Sequence, residues 1–176
     1  MQHLEPGTLV NSHHIWNDSG QCMLRLMHYS PVDEQLVLDD GKLSKNNIWR
    51  AGPHTDWGCI TLLFQQMGEE GLECCAGPST SGGTGDDTKQ WIEVPPVPQG
   101  ITCNICDMLK RWSDSTLLSN MHRVRMPRNK EECTKSRYSV AFFLQADTSA
   151  VIESTTKEPI TAKDYFAGRI NSHFSQ

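Results

Sequence analysis

The chain contains a segment rich in turn-forming residues, Ala51-Gly52-Pro53-His54-Thr55-Asp56-Trp57-Gly58, which leads into the strand-like segment Ile60-Thr61-Leu62-Leu63-Phe64-Gln65. The β-branched and aromatic residues of the second segment favour a strand. His54 and Asp56 stand just ahead of this strand, and His122 follows much later in the chain. Two histidines and one carboxylate are a ligand set for a mononuclear ferrous ion with part of its coordination sphere open. The sequence therefore predicts a metal site.

Short strand-like segments separated by turns recur along the chain. The predicted strands are 23–29, 49–52, 60–65, 72–74, 91–94, 102–106, 120–124 and 137–145. This texture favours a sandwich or barrel over a helical or alternating α/β architecture. Thr161-Ala162-Lys163-Asp164 is typical of a capped helix start and predicts a C-terminal packing helix to about Ser172. We expect an all-β chain with this helix and few others.

Two polar stretches interrupt the predicted strands. Residues 76–90 are rich in Gly, Ser, Thr, Pro and Asp, and residues 127–136 carry both charge signs. We expect the first to be a mobile, solvated loop and the second to be a loop as well. Neither need disturb a site, because the entropy cost of closing a loop grows slowly with its length.

Composition places the chain among ordinary globular proteins. It has 176 residues, of which 37% are hydrophobic and 21% charged, with a formal net charge of −5. This balance and the lack of a clustered basic stripe argue against a nucleic-acid partner. No apolar run is long enough to span a membrane, and the first residues lack the features of a signal peptide. We expect a cytoplasmic protein without membrane or nucleic-acid partners, and the sequence leaves its oligomeric state open.

The seven cysteines are odd in number, which points to free thiols rather than a disulfide framework. Cys74, Cys75, Cys103 and Cys106 could in principle form a four-thiolate zinc site. We favour the alternative that Cys103 and Cys106 act as small hydrophobic residues in an apolar strand. Cys59 is expected to pack in the same way.

A second candidate site is the segment Arg137-Tyr138-Ser139. Side chains two residues apart share one face of a strand, so Arg137 and Ser139 together could hold a carboxylate. Phe143 lies on the same face and is predicted either to line the mouth of the site or to pack in the core. Trp57, beside Asp56, is a second candidate wall for a substrate.

These segments, together with Asp107-Met108-Leu109-Lys110-Arg111-Trp112-Ser113, closely resemble in their order the isopenicillin N synthase-like branch of the iron- and 2-oxoglutarate-dependent oxygenases. The resemblance extends from about Leu24 to Arg169. It implies a double-stranded β-helix, the jelly roll of that family, over residues 24–176 behind a lead-in segment, 1–23. Family members usually carry a comparably long N-terminal region before this domain, and we expect that region to be absent here.

The resemblance also implies the roles of the candidate residues. His54, Asp56 and His122 would hold Fe(II), while Arg137 and Ser139 would grip the distal carboxylate of 2-oxoglutarate beside the hydroxyl of Tyr29. Dioxygen would be the cosubstrate in an oxidation of a small organic metabolite by hydroxylation, desaturation or ring closure. Zinc also suits such ligands, but the sequence shows no separate general base for a hydrolase. Two alternatives stay open: a ferrous oxidase that needs no 2-oxoglutarate, and a truncated, catalytically silent metal-binding jelly roll.

Overall fold

The computed structural model describes residues 4–36, 49–75 and 90–174. In chain order, the elements are α1 (Thr8–Asn11), β1 (Met23–Tyr29), a 3₁₀ turn (Glu34–Leu36), β2 (Ala51–His54), β3 (Ile60–Gln65), β4 (Leu72–Cys75), β5 (Trp91–Glu93), β6 (Thr102–Ile105), α2 (Asp107–Trp112), β7 (His122–Val124), α3 (Lys130–Cys133), β8 (Arg137–Leu144), β9 (Val151–Ile152), β10 (Ile160–Thr161) and α4 (Ala162–Phe174). The predicted mobile loop, 76–90, lies outside the described residues except for Gln90.

Two four-stranded antiparallel sheets form the body of the molecule. One sheet has the strand order β1-β8-β3-β6, and the other has the order β2-β7-β4-β5. Strands that are distant in sequence are therefore neighbours in space, as in a jelly roll. The predicted all-β class, a double-stranded β-helix with few helices, is confirmed.

The core between the sheets forms where apolar side chains of both sheets meet. Leu63 of β3 pairs with Ala141 of β8, and antiparallel partners place their side chains on the same face. Both pack against Leu72 of β4, with Met27 and Phe143 at the edge of the cluster. Alternation along β8 puts every second residue on this inner face, so Arg137 and Ser139 at the start of the strand lie on it as well.

A second core lies around α2, which the sequence had not predicted as a helix. Met108 and Trp112 of this helix are fully buried, together with Cys59. Tyr165 and Phe166 of α4 pack against the same cluster. A six-residue helix has little intrinsic stability in water, so tertiary burial rather than local propensity holds α2 in place.

Other differences from the predicted elements are local. The polar stretch 127–136, predicted to be a loop, contains α3, which Asn129 caps by accepting a 2.9 Å hydrogen bond from the Glu132 backbone N–H. The β9–β10 hairpin was not predicted, because each of its strands has only two residues. The capped start of α4 is confirmed, since Thr161 Oγ1 accepts a hydrogen bond from the Asp164 N–H. None of the described helices combines the length and apolar character needed to cross a membrane.

Candidate metal centre

Three predicted ligand side chains converge between β2 and β7. His54 ends β2 and is the register partner of His122, which begins β7, and their ring centroids are 4.3 Å apart. The Asp56 carboxylate lies 3.8 Å from Nε2 of each histidine, through Oδ1 to His54 and Oδ2 to His122. Among the described residues, this is the one group of three ligating side chains whose atoms lie within 4.8 Å of one another. The structure thus brings together all three predicted ligands.

Both imidazole rings are held so that Nε2 faces the other ligands. Nδ1 of His54 donates to the Gly52 carbonyl at 2.6 Å, and Nδ1 of His122 donates to the Asn120 carbonyl at 3.0 Å. Because a carbonyl can only accept, each Nδ1 carries the proton, and each Nε2 lone pair is left for a metal. Burial lowers the pKa of His122, although the Asp56 carboxylate opposes the shift. A neutral imidazole is the form that ligates a metal.

The Asp56 carboxylate is oriented from the adjacent strand. Thr61 Oγ1 donates to Asp56 Oδ2 at 2.6 Å, and the Thr61 hydroxyl also lies 3.4 Å from Cys106 Sγ. Burial raises the pKa of the Cys106 thiol to about 12, so this group stays neutral beside the site. The loop that carries Asp56 is fixed as well, since the backbone carbonyl of Asp56 accepts a hydrogen bond from the Asp107 N–H at 2.9 Å.

A polar network links the motif to the C-terminal helix. Thr55 Oγ1 donates to Asp107 Oδ2 at 3.0 Å, and Arg169 of α4 forms an ion pair with the same carboxylate oxygen. The Arg169 guanidinium carbon also lies 5.6 Å from the centroid of the Trp57 ring. The sequence predicts a packing role alone for α4. The helix packs as expected, but it also contacts the loop between the ligands.

The predicted carboxylate clamp lies on the inner face of β8. Arg137 Nε donates to the carbonyls of Glu69 and Glu70 at 3.2 and 3.1 Å, and Nη2 donates to Gln65 Oε1 at 3.2 Å. Two donors remain: Arg137 Nη1 and Ser139 Oγ are buried, and neither has a hydrogen-bond partner in the described part of the chain. Leaving buried donors unsatisfied is costly, and a carboxylate accepts from both types of group. The residues therefore fit a bound carboxylate.

The three remaining predicted residues take different positions. Tyr29 pairs with Arg137 in the sheet, and the Arg137 guanidinium carbon lies 5.1 Å from the centroid of its ring. Phe143 is half-buried at the edge of the core between the sheets, with the guanidinium carbon of Arg25 5.2 Å from its ring centroid. Trp57 is half-buried beside Asp56. Packing thus explains part of the environment of Phe143.

The cysteines follow the prediction with one correction. Cys59 and Cys106 are buried, as expected of small hydrophobic residues. Cys103 is exposed, because it lies on the outer face of β6 opposite Leu62, so its predicted burial is wrong. The thiols of Cys74 and Cys75 belong to β4 and are half-buried. No four-cysteine cluster is found among the residues that the structure describes.

Four further residues contact the candidate site through their side chains, and no sequence motif predicts these contacts. They are Thr61, Gln65, Asp107 and Arg169. The signal that could have found Thr61 is its period-two position on β3, since it faces inward five residues after Asp56.

Comparison with known proteins shows the family of this chain. The sequence profile of the 2OG-Fe(II) oxygenase superfamily matches residues 20–146, which is more than half of the chain. The chain belongs to the 2OG-Fe(II) oxygenase superfamily. Fe(II), 2-oxoglutarate and dioxygen, predicted from the sequence, are the cofactor and cosubstrates of this superfamily. The isopenicillin N synthase-like branch stays a prediction.

Individual members of the superfamily support the assignment. A 2-oxoglutarate-dependent dioxygenase of Didymella fabae is 33% identical over 162 residues, covering 87% of this chain and 43% of that protein. A full-length Neurospora crassa protein, crystallised with α-KG and 5-formyluracil, has a TM-score of 0.71 and 31% identity, covering 92% of this chain and 49% of that one. A Caulobacter crescentus 2OG-Fe(II) oxygenase family protein has a TM-score of 0.65 and 30% identity, covering 86% of this chain and 45% of that one. The chain thus spans about half the length of these relatives or less.

Proposed function

We propose that this chain is an Fe(II)- and 2-oxoglutarate-dependent oxygenase domain that oxidises a small organic molecule. One observation carries the proposal: the ligand group His54, Asp56 and His122 lies in the same sandwich as two buried donors without partners, Arg137 Nη1 and Ser139 Oγ. A ferrous ion fits the first group, and a carboxylate fits the second. A dicarboxylate such as 2-oxoglutarate is a ligand that both groups would bind.

Each residue has a defined role in this proposal. His54 and His122 supply neutral nitrogen ligands, and Asp56 supplies a negative charge that offsets part of the charge of the ion. Arg137 and Ser139 hold the distal carboxylate, with Tyr29 beside it. When bound, iron, 2-oxoglutarate and dioxygen would supply the oxidation of a substrate C–H group. 2-Oxoglutarate would be converted to succinate and CO2, and in a hydroxylation one oxygen atom of dioxygen would enter succinate and the other the substrate. Gln65 and the carbonyls of Glu69 and Glu70 fix the guanidinium, so little side-chain entropy remains to be lost on binding.

The substrate site is proposed to lie beside Asp56 on the inner face of the sandwich. Trp57 offers an aromatic wall next to the ligands, and Phe143 lies on the same inner face as the clamp. A small organic substrate agrees with two relatives: a 1-aminocyclopropane-1-carboxylate oxidase of Dictyostelium mucoroides, and the Neurospora crassa protein, which was also crystallised with thymine. We propose residues 24–176 as the oxygenase domain, preceded by 1–23 as a lead-in segment.

Anaerobic titration with ferrous iron and then 2-oxoglutarate tests the function. We expect a weak visible charge-transfer band from the chelate, followed by succinate release when oxygen is admitted. The His122→Ala variant is the matched control and should give no band. Iron binding and oxygen consumption without the band would instead favour a ferrous oxidase that needs no 2-oxoglutarate. Iron binding with neither band nor oxygen consumption would favour a catalytically silent domain.

A further inference from the structure

Arg50 lies beside the carboxylate clamp, in the segment just ahead of β2 of the other sheet. Its backbone N–H donates to the Val124 carbonyl at 3.0 Å, which fixes it just ahead of β2. Its Nη2 donates to the Ser30 carbonyl at 3.2 Å, and its guanidinium carbon lies 5.9 Å from the centroid of the Tyr29 ring. Its Nε is buried and has no hydrogen-bond partner among the described residues.

Arg50 and Arg137 face the same space. Both line one cavity of about 530 Å³, and both guanidinium groups contact the ring of Tyr29. Each has one buried N–H without a partner, Nε in Arg50 and Nη1 in Arg137. The two side chains therefore bring two buried, unsatisfied donors to the same part of the molecule, and a bound carboxylate could accept from both.

Most of the other charged side chains around this cavity have polar partners. Arg125 pairs with Glu132 at 2.7 Å, and Lys135 pairs with Glu131 at 2.5 Å. Glu69 and Glu70 also line the cavity. Their backbone carbonyls accept from Arg137, and the carboxylate of Glu69 accepts the Tyr138 N–H. Among the described residues, neither Arg50 nor Arg137 forms an ion pair with a carboxylate.

We infer that Arg50 is a second cationic residue of the cosubstrate site, and that it selects 2-oxo acids whose far end carries a carboxylate. This inference rests on the proposed function. Arg137 and Ser139 hold the carboxylate directly, while Arg50 contributes its Nε–H and a positive charge from the segment just ahead of β2. Because Arg50 acts on the distal carboxylate alone, its removal should leave the 2-oxo group and the metal ligands unaffected.

Anaerobic calorimetry on the iron-loaded chain tests this with two ligands of equal carbon number. These are 2-oxoglutarate and 2-oxopentanoate, which lacks the distal carboxylate. We expect Arg50→Gln to raise the Kd of 2-oxoglutarate by about tenfold or more and to leave that of 2-oxopentanoate within about twofold of wild type. Lys130→Gln is the charge-matched control, because Lys130 is exposed and, in the part of the chain that the structure describes, its ion pair is with exposed Glu34; it should change neither value.

Two results with Arg50→Gln would overturn the inference. One is an Arg50→Gln variant that folds, as judged by its Tm, and binds 2-oxoglutarate as wild type does; the other is an equal loss of affinity for both ligands. Arg50→Lys covers the case in which Arg50→Gln does not fold. It keeps the charge without the Nε donor and should weaken 2-oxoglutarate about threefold, so an unchanged Kd would also overturn the inference. If the wild-type chain itself binds no 2-oxoglutarate, the proposed function is wrong, and the role of Arg50 is wrong with it.

Discussion

The hydroxyl of Thr61 donates a 2.6 Å hydrogen bond to Oδ2 of Asp56, the carboxylate between the two candidate ligand histidines. The bond fixes the carboxylate before any metal arrives. Groups of this kind that orient a ligand typically change metal affinity by about ten- to a hundredfold when they are removed. We therefore expect Thr61→Val to weaken iron binding by about tenfold, measured by anaerobic titration. Thr116→Val, at an exposed threonine, is the control, and equal iron affinities in both variants would contradict the prediction.

The His122→Ala variant tests the ligand group itself. Two remaining ligands would leave a weak and poorly oriented site, so ferrous binding should be lost. Because His122 is buried, Tm is measured alongside iron affinity. His28→Ala serves as the control, since His28 is exposed and stacks on Tyr138 far from the ligands in the chain. Unchanged iron affinity in His122→Ala would remove the basis of the proposed function.

The Arg137→Lys variant tests the clamp. Lysine keeps the charge but loses the planar fork, in which Nε and Nη2 contact Glu69, Glu70 and Gln65 while Nη1 is left for the proposed carboxylate. Losing one charge-assisted hydrogen bond of about 1.5–3 kcal/mol should raise the Kd of 2-oxoglutarate about tenfold to a hundredfold, with iron affinity close to wild type. A purely structural Arg137 would give the opposite result: a lower Tm in a variant whose folded fraction binds 2-oxoglutarate normally.

The Arg169→Gln variant tests whether α4 does more than pack. The substitution removes the ion pair to Asp107, whose carboxylate accepts from Thr55 between the two ligands. We expect iron affinity to fall severalfold and Tm to fall by a few degrees, because the ligand loop loses one of its supports. Arg169→Lys should recover part of both losses. A fall in Tm with iron affinity unchanged would assign the helix to packing alone.

The Asp147→Asn variant tests a pH dependence of stability. Burial opposes ionisation of Asp147, but its two hydrogen bonds with His14, at 3.0 and 2.5 Å, prevail, and its pKa is lowered. A lowered folded pKa gives a contribution that is complete above the unfolded value of about 3.9 and is lost as pH falls through the folded pKa. Wild type should therefore lose more of its free energy of unfolding than the variant between pH 6 and pH 3. Parallel pH curves from urea denaturation would contradict this.

Local patterns were enough to predict most of the sandwich and its central residues. Alternation with a period of two set the inner face of β8, so Arg137 and Ser139 could be placed on one side before any contact was known. The residue types of His54, Asp56 and His122 indicated a metal, because two histidines and one carboxylate are a ligand set for a ferrous ion that keeps coordination positions open. Chemistry that depends on residue type and on alternation along a strand can thus be read from the sequence.

Other features depend on contacts between residues that are far apart in the chain. The sequence did not predict α2, since its stability comes from burying Met108 and Trp112 rather than from six residues of helix propensity. It did not link Arg169 to Asp107, because only the docking of α4 brings them together. It did not place Arg50 beside Tyr29, because Arg50 precedes β2 of one sheet, Tyr29 ends β1 of the other, and no local pattern sets their distance. The sequence by itself determined the candidate ligand set and the strand face of the proposed clamp, while tertiary packing decided which side chains lie against them.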